Sequence, residues 1–174
     1  MNWDAIGAIA EFIGAIAVLA SLIYLANQIR QNTAVSRSTA RQGIAEASMA
    51  EVSSVMENAD LSNLLYREIA GEPLEGHENY RVQLFAFRSL RFYENCHYQY
   101  RTGMLESDEW EAFRYNLILL FELKLYNRYW VGSEKIFTPV FRELVESIRG
   151  ELEQTGKLGE GGIEIMGINS NDEG

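Results

Sequence analysis

Few of the residues that interrupt helices or carry catalytic chemistry occur in this chain of 174 residues. It contains two prolines, one cysteine and two histidines. Because proline breaks the interior of a helix, its scarcity favours long helices. The lone Cys96 excludes a disulfide within the chain and is compatible with a reducing cytoplasm. A ferritin-like di-iron site needs two Glu-x-x-His motifs, and the chain has one, Glu94 with His97.

Basic residues are also outnumbered. The chain has 15 lysines and arginines against 25 aspartates and glutamates, for a formal net charge of −10 at pH 7. The basic residues form no stripe, so we expect no nucleic-acid partner. No Ser-His-Asp or Cys-His set is supportable, and the glycine-rich stretch at residues 159–162 lacks the flanking strand and Lys-Ser or Lys-Thr of a phosphate loop. We therefore predict no enzyme activity, no metal and no cofactor.

The chain does contain a long apolar segment near its N-terminus. Residues 5–26 are almost entirely apolar and include one carboxylate, Glu11. As a helix rising about 1.5 Å per residue, this stretch is long enough to cross a hydrocarbon core of about 30 Å. It lacks the basic start and the small-residue cleavage site of a signal peptide, which favours an uncleaved anchor. A buried core helix of a soluble bundle is the alternative.

The distribution of bases near this span predicts its orientation. Arg30, Arg37 and Arg41 all follow the span, so the positive-inside rule places residue 1 outside and the rest of the chain in the cytoplasm. The predicted organisation is an extracytoplasmic N-terminus at residues 1–4, a transmembrane helix at 5–26, a cytoplasmic helical domain at 27–155 and a flexible, acidic, glycine-rich tail at 156–174.

The rest of the chain reads as an all-α bundle that continues from the transmembrane helix. We predict a first helix to about residue 58, a short helix at 61–70 capped by Asp60, a long helix at 78–102, a helix at 107–129 capped by Ser107, and a last helix from Pro139 to about residue 154. The predicted core is aromatic: Phe85, Phe87, Phe92, Trp110, Phe113, Phe121, Tyr126, Trp130, Phe137 and Phe141.

Three phrases in the chain carry a resemblance. They are the run YLANQIRQNT at residues 24–33; Glu94, Asn95, residues 98–101, Gly103, Leu105 and Trp110; and Phe137, Pro139, Phe141, Arg142, Val145 and Glu146. As a set they resemble a family of small, uncharacterised bacterial membrane proteins that begin with an acid-bearing apolar helix. The resemblance covers the chain to about residue 150 and implies a membrane-anchored, single-pass helical protein. Together with the orientation that the bases predict, it leads us to expect a protein of the bacterial inner membrane with its N-terminus outside. The resemblance implies no known reaction.

Small residues around Glu11 predict a helix–helix interface. A carboxylate in hydrocarbon is costly, so we expect Glu11 to face protein or water. Small residues let helix backbones approach closely. The predicted interface consists of Gly7, Ala10, Glu11, Gly14, Ala17 and Ser21. Three interpretations stay open: a packing interface, an oligomeric pore lined by Glu11, and a Glu11 side chain that snorkels to water.

A second set of polar residues lies on the long aromatic helix. Its members are Arg88, Arg91, Glu94, Asn95, Gln99 and Arg101. They suit either an internal network, in which Glu94 pairs with Arg91 or Arg101, or a site for an anion or lipid headgroup. We favour the internal network.

These observations predict a membrane-anchored, self-associating scaffold or regulatory subunit without catalysis. Its expected partners are the lipid bilayer and either further copies of the chain or another membrane protein. The alternative is a homo-oligomeric ion channel with Glu11 lining the path.

Overall fold

The computed structural model describes residues 3–161, with the side chains of residues 3–6, 8 and 10 outside that description. Within this part the chain forms α1 (Trp3–Met56), α2 (Ala59–Ile69), α3 (Gly76–Arg101), α4 (Ser107–Glu122), α5 (Lys124–Trp130), a 3₁₀ turn (Glu134–Ile136) and α6 (Pro139–Gln154). The all-α prediction is confirmed. The first helix ends close to the expected residue 58, and α6 begins at Pro139 and ends at Gln154 as predicted.

The caps of two helices differ from the prediction. Asn58, not Asp60, caps α2: its side-chain oxygen accepts the Leu61 N–H at 3.0 Å. Likewise, α4 is preceded by Glu106 as its cap rather than by Ser107, and the Glu109 carboxylate accepts the Glu106 N–H at 3.3 Å. In α3, the Glu78 carboxylate accepts the Glu75 N–H in the same way. At α3 and α4, the helix therefore begins where a glutamate three residues further on accepts the N–H of the cap residue.

The helix predicted at residues 107–129 is divided at Leu123. This residue is extended, with φ −81° and ψ 135°, so α4 ends and α5 begins on either side of it. The carbonyls at the end of α4 accept hydrogen bonds from beyond α6: Phe121 from the Gly159 N–H at 3.1 Å, and Glu122 from the Gly161 N–H at 2.7 Å. A helix end leaves its last carbonyls unpaired, and here a distant segment pairs them.

The same hydrogen bonds locate the beginning of the predicted flexible tail. Residues 156–161 pack back on α4, and Gly161 forms an isolated parallel bridge with Leu123. Residues 162–174 of that tail lie outside the described part of the chain.

The chain comprises two units, Met1–Arg41 and Gln42–Gly174. In unit 1, every residue of α1 from residue 11 to residue 39 is exposed. Unit 2 holds the hydrophobic core. Six of the ten predicted core aromatics are buried there (Trp110, Phe121, Tyr126, Trp130, Phe137 and Phe141), and the other four are partly buried against it.

A smaller cluster in unit 2 surrounds the only cysteine. Cys96 is fully buried and lies in one cluster with Ile44, Leu105 and Trp110. Burial raises the pKa of the Cys96 thiol from an ordinary 9.0 to about 12, with a further upward contribution from the charge of Glu51. A raised pKa in the folded state stabilises the fold fully below pH 9, and this contribution is lost as the pH rises to 12.

We expect the wild-type protein to lose more unfolding free energy between pH 9 and pH 12 than a Cys96→Ala variant, because alanine has no proton to retain. Urea unfolding at a series of pH values measures the difference. Parallel curves for the two proteins would show that the buried thiol contributes nothing to alkaline sensitivity.

Candidate functional site

The predicted interface of unit 1 is an open face in the single chain. A Cβ atom added at Gly7 or Gly14 meets no described residue within 4 Å. Glu11 is exposed, and Ser21 Oγ donates to the Ala17 carbonyl at 2.8 Å within the helix. The sixth predicted member, Ala10, has a side chain outside the described residues. The face is therefore free to accept another helix.

Four of the six predicted polar residues on α3 meet in one groove of unit 2, of about 460 Å³. Its lining residues are Arg91, Glu94, Asn95, His97, Tyr98, Arg101 and Thr138. Arg88 and Gln99 do not line it, and Arg88 instead donates to the Ala50 carbonyl on α1 at 3.0 Å.

Glu94 is the buried centre of this polar groove, with 8% of its surface exposed. One of its carboxylate oxygens pairs with Arg91 one turn earlier, and the other accepts the Thr138 N–H at 2.7 Å. Thr138 is the cap of α6, so Glu94 ties α3 to the first turn of α6. The guanidinium of Arg91 also lies 5.9 Å from the centre of the Phe137 ring. The Arg91–Glu94 ion pair therefore holds α3 against the start of α6.

His97 takes no part in a metal site among residues 3–161. Its ring stacks on Trp110 with centroids 5.1 Å apart. Burial lowers its pKa, and the nearby positive charge of Arg101 lowers it further, so the imidazole is neutral at pH 7. No group of three His, Cys, Asp or Glu side chains in the described part of the chain is arranged to hold a metal ion.

A second groove in unit 2 was not predicted, and it is almost wholly apolar. It consists of two adjoining cavities of about 260 and 380 Å³, which share Val55, Phe85, Leu120 and Tyr126. The first cavity is completed by Ser62, Leu65, Tyr66, Ile69, Leu123 and Leu125, and the second by Ser48, Glu51, Val52, Met56, Ser89, Phe92 and Tyr93. We call the two together the apolar groove.

A chain of hydrogen bonds crosses the wall of the apolar groove. The Tyr126 hydroxyl donates to Ser89 Oγ at 3.3 Å, and Ser89 donates to the Glu51 carboxylate. Ser89 and Tyr126 are 2% and 4% exposed. Burial raises the pKa of Tyr126 and outweighs the opposing effect of the Ser89 hydrogen bond. The phenol therefore stays protonated and acts as a donor.

One signal in the sequence points to this chain of hydrogen bonds. Val82, Ala86, Ser89, Tyr93 and Cys96 are spaced by three and four residues along the packed face of α3. A serine on such a face needs a buried partner. Its partners stand 38 and 37 positions away, at Glu51 and Tyr126, and no local pattern identifies them.

Comparisons with protein-family models, curated proteins and solved structures return no match for this chain. The resemblance to a bacterial membrane-protein family stays a prediction. Function is accordingly inferred from the residues of this chain alone.

We expect Glu94→Ala to lower the free energy of unfolding by about 1–3 kcal/mol, because it leaves the Thr138 N–H without its acceptor and Arg91 without its ion pair. The neighbouring, exposed Asn95→Ala is the matched control and should stay within about 0.5 kcal/mol of wild type. Urea unfolding followed by tryptophan fluorescence measures both. Equal effects of the two substitutions would contradict the structural role of Glu94.

Proposed function

We propose that this chain is a membrane-anchored protein of the bacterial inner membrane that self-associates through unit 1 and acts as a scaffold or regulatory subunit without catalysis. The observation that carries the proposal is the exposed apolar helix of unit 1. The orientation has the N-terminus outside and unit 2 in the cytoplasm, in accordance with the bases that follow the span.

The composition of this helix supports an anchor. Among the described residues, only α1, between Glu11 and Met56, contains an 18-residue stretch apolar enough to span a membrane, with a mean hydropathy of 1.9 and none of that stretch buried. Exposed apolar surface costs about 25 cal/mol per Å² in water. Ile13, Leu19 and Ile23 are each about 60% exposed. A bilayer removes this cost, because acyl chains replace water around the helix.

The open face of Gly7 and Gly14 supports self-association. Lipid tails are as apolar as leucine, so helices associate in a bilayer through close packing of small residues rather than through hydrophobicity. A second helix on this face also shelters Glu11 from hydrocarbon, where a carboxylate is costly. Two requirements, close approach and removal of a charge from lipid, are thus met by one contact.

We expect Gly14→Leu to weaken self-association at least about tenfold, which corresponds to about 1.4 kcal/mol. The substitution is informative because a Cβ atom at Gly14 meets no described part of the chain within 4 Å. Ala20→Leu adds similar bulk outside the small-residue face and is the control. Native mass spectrometry of the protein in lipid nanodiscs reports the distribution of oligomers. If both variants assemble as wild type does, this face is not the interface.

A second candidate function, an ion-conducting pore, rests on the exposed carboxylate of Glu11 within the apolar helix. The scaffold predicts that liposomes containing wild-type protein and Glu11→Gln leak ions equally slowly. A pore predicts a wild-type flux that Glu11→Gln changes about tenfold or more while Glu46→Gln, on the same helix beyond the span, does not. Such a flux would favour the pore over the scaffold as the function of this chain. A protein that is monomeric in lipid would exclude the pore.

A further inference from the structure

We propose that unit 2 binds a single-chain amphiphile in the apolar groove, with its alkyl chain among the shared apolar residues and an uncharged, hydrogen-bond-donating head at Glu51. The inference stands on unit 2 alone and is independent of how unit 1 associates.

The shape of the apolar groove suits an alkyl chain. Its two cavities adjoin, because Val55, Phe85, Leu120 and Tyr126 line both of them, and we propose that one alkyl chain occupies the two together. Volumes of about 260 and 380 Å³ together fall within the usual range of small-molecule pockets, about 300–1,000 Å³.

The polar wall determines which head the site accepts. The hydroxyl groups of Tyr126 and Ser89 already donate within the chain of hydrogen bonds, because Tyr126 donates to Ser89 and Ser89 donates to Glu51. Within residues 3–161, no hydrogen bond or ion pair reaches the second oxygen of the Glu51 carboxylate. The site therefore presents an acceptor to the groove, and a hydroxyl head supplies the matching donor.

The charge of Glu51 excludes anionic heads. An anionic head placed beside the Glu51 carboxylate would be repelled by its negative charge. The influence of Glu51 already reaches its neighbours: the pKa of Tyr93 is raised to about 12, first by burial and then by the Glu51 charge. A fatty alcohol or monoacylglycerol is therefore accepted, whereas a fatty acid carboxylate is rejected.

Photolabelling of the full-length protein in phosphatidylcholine nanodiscs tests the proposal. The probes are dodecanol and dodecanoate, each with a diazirine near the end of the chain, and labelled peptides are located by mass spectrometry. We expect the alcohol to label the residues of the apolar groove at least about tenfold more than the carboxylate does. Labelling of unit 1 by each probe serves as the internal standard for its concentration in the bilayer.

Three variants separate specific binding in the groove from nonspecific labelling. Ser62 is exposed at the groove and Asn63 is exposed beside it on α2 but does not line it. Ser62→Trp should therefore abolish groove labelling, and Asn63→Trp should leave it intact. Glu51→Gln should remove the preference for the alcohol over the carboxylate.

Several results would overturn the inference. If the alcohol labels Ser62→Trp and wild type equally, or labels unit 2 outside the groove, no amphiphile occupies this site. If wild type takes both probes equally, Glu51 does not select the head. Because the Ser62 and Asn63 pair lies on the surface, the comparison remains decisive even where circular dichroism shows that Glu51→Gln has lost its fold.

Discussion

The structure of unit 2 depends on one constraint: a polar atom carried into an aromatic core must find a partner there. Trp130 is nearly fully buried against Phe121, Phe137 and Phe141, and its indole N–H would be stranded without an acceptor. Glu146 on α6 accepts it at 2.6 Å. The ring and the hydrogen bond together fix α5 against α6, because neither contact survives if one helix slides.

The same constraint operates at two other places in unit 2. Glu94 reaches the backbone of Thr138, and Ser89 lies between Tyr126 and Glu51. Each link crosses between helices that are far apart in the chain. Both carboxylate oxygens of Glu94 have partners within the fold. One carboxylate oxygen of Glu51 accepts from Ser89, and the other is available at the apolar groove. This difference separates a residue that stabilises the bundle from one that is available to a ligand.

Unit 1 differs from unit 2, because its apolar side chains are exposed. Its helix buries none of the described apolar side chains from residue 11 to residue 39, and in the function we propose a bilayer and a partner helix cover them. Lipid covers leucine and isoleucine well, but it covers a carboxylate or a glycine-lined face poorly. An anchor that also associates satisfies both kinds of surface, which is why we place the scaffold ahead of the pore.

The sequence by itself determined the helical class and the positions of most helix ends, because glycine, proline and capping residues act within a few positions of the chain. It also located Arg91 and Glu94 on one helix, where a spacing of three residues makes them neighbours. Only the tertiary structure decided the division at Leu123, the link from Glu94 to Thr138 and the existence of the apolar groove. Each of these features depends on groups that are far apart in sequence and that packing brings into contact. A local sequence pattern does not identify such a distant partner.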